Sequence, residues 1–112
     1  MFIEIGRLTQ EVEIRTVTIG ETPKHVLNNR LAVRVSADSS AFIDITAWNG
    51  TADFIGEHFK KGDELFIEGE LRNRIVKTDD KEFSHPFILI THVRFTHGNR
   101  HGGSESGENA EV

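Results

Sequence analysis

Short runs rich in Val, Ile, Leu and Phe alternate along the chain with clusters of Gly, Asn, Asp and Pro. That rhythm predicts strands joined by turns. A long first strand is expected from Phe2 to Ile19, bending near Gly6 or Thr9-Gln10 and ending in the turn Gly20-Glu21-Thr22-Pro23. A second is expected over about Val26 to Ala37, closed by Asp38-Ser39-Ser40. Alternation is cleanest from Phe42 to Trp48. There Ile43, Ile45 and Ala47 share one face, while Phe42, Asp44, Thr46 and Trp48 share the other. A fourth strand runs from Glu64 to Lys77 and turns at Thr78-Asp79-Asp80-Lys81. The fifth spans about Phe83 to Phe95, and Pro86 marks an edge or a bulge near its start.

The pattern changes period once. After Asn49-Gly50-Thr51, the apolar residues Ala52, Ile55 and Phe59 fall at i, i+3 and i+7, the spacing of one helix face. Lys60-Lys61 suit a helix C-terminus, and Gly62 is the expected stop. Five strands with one short helix between the third and fourth are the order of an all-β OB-fold, a five-stranded Greek-key barrel. The expected domain is 1–97. From residue 98 to 112 Gly, Ser, Glu and Asn dominate, the composition of a disordered tail.

Composition narrows the function classes. The 112 residues amount to one domain, and no apolar stretch approaches the roughly twenty residues of a membrane span. The N-terminus reads straight into a strand without a secretory signal's basic and apolar regions, so a cytoplasmic, nucleoid-associated location is expected. With no cysteine, disulfides and thiolate metal sites are excluded. Net charge is −5, of which residues from His97 onward supply −2 and the rest −3. A phosphate-binding surface must therefore come from local clustering of cations.

Three stretches carry a family resemblance. Ile5-Gly6-Arg7-Leu8-Thr9 with Glu13-Ile14-Arg15, then Val26-Leu27-Asn28-Asn29-Arg30-Leu31-Ala32-Val33, resemble the first two strands of bacterial single-stranded DNA-binding proteins. The third is longer. It starts at Phe42-Ile43-Asp44-Ile45-Thr46-Ala47-Trp48, passes through Ala52-Asp53 and Lys60-Lys61-Gly62-Asp63, and ends at Ile67-Glu68-Gly69-Glu70-Leu71-Arg72-Asn73-Arg74. The ordered set covers roughly residues 2 to 96.

The resemblance implies sequence-tolerant binding of single-stranded DNA in replication, recombination or repair, with no enzymatic activity and no cofactor. It also implies a homo-oligomer, usually a homotetramer. Unpaired bases stack on aromatic rings and phosphates attract Arg and Lys, so the binding face needs both at period two. Phe42 and Trp48 meet that condition. The resemblance places them at base-stacking positions and Arg72 and Arg74 at backbone-contacting ones. Arg7 and Arg15 are further expected nucleic-acid residues. Phe66 and Glu68 fall on the strand face that meets another subunit in the family. Two departures stand out. Val76 occupies a position where the family often carries an aromatic, and Asp44 puts a carboxylate between the two rings, where it would repel phosphate. The closing residues Gly107 to Val112 also lack the acidic stretch and terminal Pro-Phe through which relatives recruit replication and repair proteins. Recruitment by that route is not expected.

Plainer readings compete at each position. Phe42 and Trp48 suit a core or an interface equally well from pattern alone. Arg72 and Arg74 beside Glu68 and Glu70 suit a salt-bridged solvent face. His97 and His101 have a spacing that zinc tolerates, but no further ligand completes a set, so no metal is expected. No nucleophile–base pairing or phosphate-cradling Gly loop appears. The competing functions are an OB-fold protein–protein adaptor with weak DNA binding and a single-stranded RNA binder.

Overall fold

The expected first strand is two strands, and one buried asparagine explains the break. In a computed structural model that describes residues 1–97, β1 (Phe2–Leu8) and β2 (Arg15–Ile19) both pair antiparallel with β3 (Thr22–Ser36). Leu8 faces Leu31 and Arg15 faces Val26, so residues 8 to 15 span what β3 covers from 31 to 26. The surplus residues arch away from the sheet. Asn29 holds them. Its Oδ1 accepts from the amides of Gln10 and Arg30 at 3.2 and 2.8 Å, and its Nδ2 donates to the carbonyls of Gln10 and Glu11 at 3.1 and 3.4 Å. A buried amide with both ends satisfied fixes the chain where ladder bonds lapse.

The turn after β2 is Gly20-Glu21 alone, with Thr22 and Pro23 already in β3. Next come β4 (Ser39–Trp48), α1 (Asn49–His58), β5 (Glu64–Thr78) and β6 (Lys81–Arg94). Strand order is β1-β5-β6-β4-β3-β2, and β1 also pairs with β3, so the sheet closes into a ring. This is the strand order of the expected OB-fold.

Leu8, Leu27, Leu31, Ile45, Leu65, Ile67 and Ile88 are fully buried inside the ring. Burial of each such side chain contributes about 1.5–3 kcal/mol. The helix delivers Ala52 and Ile55 to the same cluster, and Phe59 follows at its C-cap, as the i, i+3, i+7 spacing predicts. The helix ends earlier than expected, at His58, because Phe59 takes extended backbone at the C-cap. Lys60, Lys61 and Gly62 lie beyond it. Gly62, with φ +90, makes the following turn while its amide donates to the Leu8 carbonyl at 2.8 Å.

The β5–β6 pair is longer than the ring requires. β4 meets β6 only at Ile45↔Ile88 and Thr46↔Leu89, whereas β5 and β6 stay paired to Thr78↔Lys81. A two-stranded arm therefore projects past the barrel. Pro86 lies on it, opposite Asn73, where β4 no longer needs an amide from it. The register shift sits elsewhere, between Glu68 and Gly69. A Cβ at Gly69 would come within 2.3 Å of the Leu89 carbonyl oxygen, so only glycine fits there. His101 and the proposed tail at 98–112 lie outside the described residues.

Candidate nucleic-acid interface

Residues directly opposite each other on paired strands share a face, so the register of β3 with its neighbours lays out the site. Phe42 on β4 faces Ala32, and Ala32 faces Arg7 on β1. Trp48 faces Val26, and Val26 faces Arg15 on β2. Each row sets one cation two strand spacings, about 10 Å, from one aromatic. Arg30 and Arg34 lie on the same face of β3, opposite Asp44 and Ser40. Neither was singled out as a ligand from sequence, although their period-two placement along β3 is the signal that finds them.

The two aromatics do not form one continuous surface. They lie six positions apart along β4, about 20 Å of strand. Phe42 is 58% exposed and Trp48 half-buried. Between them Thr46, expected on the solvent face, is buried. Its hydroxyl donates to Asn28 Oδ1 at 2.7 Å and accepts from Arg74 Nη2 at 3.2 Å. Arg74 thus reaches from the β5–β6 arm onto β4, and its guanidinium lies 4.6 Å over the centroid of Phe87. Phe87 had no sequence signal, because its contact partner lies on another strand. Stacked on a ring, the guanidinium keeps its charge but loses rotamer freedom, which lowers the entropic cost of binding an anion.

Asp44 also changes character. Arg30 Nε lies 3.2 Å from Asp44 Oδ1, so the carboxylate expected to repel phosphate has a cation beside it. The other arginines are partly engaged. Arg72 pairs with Glu70, and this hydrogen bond, then the guanidinium charge, holds the Glu70 carboxyl below the usual glutamate range. The salt-bridged reading of that strand therefore holds for Arg72 and not for Arg74. Arg7 Nη1 donates to the Gly62 carbonyl at 3.0 Å. Arg15 lines a depression of about 260 Å³ with Gln10, Glu11, Glu13 and Asn28, so carboxylates border it.

Phe66 and Glu68 lie on the outer side of β5, opposite Ile5 and Ile3 of β1. Ile3 and Ile5 are about half exposed, at 52% and 46%. Glu68 Oε1 approaches His92 Nδ1 at 3.4 Å. No helix among the described residues is long and apolar enough to cross a membrane.

Comparison with known proteins adds an independent line. Residues 1–96 match the group described as the Single-strand binding protein family. The chain is similar to a protein named "Single-stranded DNA-binding protein" from Fusobacterium nucleatum subsp. nucleatum, at 29% identity over 98 residues, 80% of this chain and 62% of the relative. A protein of the same name from Treponema pallidum is 28% identical over 114 residues, 96% of this chain and 62% of the relative. The chain thus covers 62% of the length of each of these relatives.

Proposed function

Because the chain belongs to the single-strand binding protein family, we propose that it coats single-stranded DNA without regard to sequence, in replication, recombination or repair. It acts by binding and not by catalysis. The observation that carries this reading is the arrangement of the outer face. Two aromatic–cation rows, Phe42 with Arg7 and Trp48 with Arg15, flank the point where Arg74 crosses from the arm to Thr46.

Bases stack on Phe42 and Trp48, each stack contributing about 1–3 kcal/mol, and the guanidinium groups meet the phosphates. A duplex presents no free base faces to those rings. The mildly acidic body supplies little long-range attraction, so affinity rests more on stacking than on charge. Phe66, Ile5 and Ile3 form the contact between copies, and a homotetramer lets several OB units share one strand. The proposed setting is the cytoplasm, on DNA.

Titration of labelled oligo-dT, oligo-rU and duplex at matched salt tests the proposal. Oligo-dT is expected to bind far more tightly than duplex of equal length. Equal affinity for both refutes stacking, preference for oligo-rU moves the substrate to RNA, and binding to none leaves the adaptor reading.

A further inference from the structure

The β5–β6 arm keeps an unbroken register from Leu71↔Ile88 to Thr78↔Lys81, so its two faces are fully assigned. One face carries Arg72 and Arg74 on β5, with Phe87, Phe83 and Lys81 on β6. The carboxylate on this stretch of paired residues, Glu82, points the other way, opposite Lys77. Glu70, just before this stretch, pairs with Arg72 on the first face, so Arg74, Lys81 and the two rings are what that face, joined by Arg74 to β4, offers a ligand. Cations set beside exposed rings suit a polyanion whose bases are free to stack.

The two phenylalanines are not equivalent. Arg74 covers the Phe87 ring at 4.6 Å. Phe83, further out, is 47% exposed and lies directly opposite Val76, the β5 position whose side chain has no ring. Directly opposed side chains on an antiparallel pair approach to about 4.5–5.5 Å at Cβ. A ring on β6 therefore reaches nearly the same space as one on β5.

We propose that Phe83 is a base-stacking platform of this protein, supplied from the strand opposite Val76, with Lys81 as its phosphate contact. The assignment rests on the single-stranded DNA reading above. Leu89, which faces Thr46 on β4, lies six residues from Phe83, about 20 Å along the strand. The platform therefore engages only the part of a longer strand that has already crossed Arg74.

The experiment compares wild type, Phe83→Ala, Phe83→Tyr, Val76→Ala and Lys81→Ala against oligo-dT of about 5 and about 15 nucleotides, within the site sizes of OB units. Phe83→Ala is expected to weaken binding of the longer probe roughly tenfold and leave the shorter unchanged, with Phe83→Tyr near wild type. Val76→Ala should have no effect, and Lys81→Ala should flatten the salt dependence. Trp48 is the sole tryptophan, so Phe83→Trp in a Trp48→Phe background reports directly through quenching by the longer probe. If wild type binds neither probe, the DNA reading itself fails. If wild type binds both while Phe83→Ala matches it and Trp emission at position 83 is unmoved, the platform is overturned.

Discussion

Arg30 and Asp44 face each other across the β3–β4 ladder with Nε 3.2 Å from Oδ1. Both side chains are about half exposed, so the pair itself adds little to stability. Its expected effect is on the proposed ligand. On the proposed DNA face, Asp44 holds an arginine that would otherwise meet a phosphate beside Phe42.

Asp44→Asn should therefore act twice, by removing a negative charge and by releasing Arg30. Binding of oligo-dT should tighten severalfold at low salt, with a steeper dependence on salt. In an Arg30→Ala background most of the gain should vanish. Titration of the four members of that cycle checks both points, and additive effects would contradict the coupling.

Trp48 and Phe42, the proposed stacking residues, sit in different settings, one half-buried and one open. Trp48→Ala should cost about 1–3 kcal/mol of binding with little change in salt slope. Phe42→Ala should fall in the same range and leave thermal stability unchanged, because that ring contributes little to the core. Wild-type affinity in both variants would move the strand to another face.

The Glu70–Arg72 pair makes a pH prediction with a definite sign. The folded carboxyl titrates below its ordinary value of 4.5. The pair's contribution is therefore complete above that value and is lost as pH falls through the lower folded one. Glu70 lies at the surface, so melting temperature should barely respond. The readable consequence is Arg72: Glu70→Gln should steepen the salt dependence of DNA binding at neutral pH. Wild type should approach the variant only once the pH drops below the Glu70 transition. A variant with an unchanged salt slope would remove Arg72 from the interface.

Asn29 predicts stability and not binding. Asn29→Leu strips partners from two amides and two carbonyls where β1 leaves β3. Buried groups left without partners cost roughly 1–3 kcal/mol each unless water replaces the bond. A loss of about 2–4 kcal/mol in urea unfolding is expected, with hydrogen exchange accelerating first across 9–14.

The outer β1–β5 patch predicts assembly. Light scattering should give a mass several times the 12.6 kDa chain, and Ile5→Asp should reduce it to one copy. A wild-type monomer at micromolar concentration would refute the contact proposed for Phe66.

Much of this was legible from local pattern. Period two at 42–48 identified the inward residues Ile43, Ile45 and Ala47, and the spacing of Ala52, Ile55 and Phe59 identified the helix face, because burial imposes those periods on any sequence. The turns at Gly62 and around Asp79-Asp80 were legible because turn chemistry is local. The tertiary structure decided three further things: that the first strand breaks, that Asp44 is partnered, and that Arg74 spans from the arm to Thr46 over Phe87. Each depends on which residues meet across strands distant in sequence. Register is set jointly by the closing ring and the buried core, so no single segment encodes it.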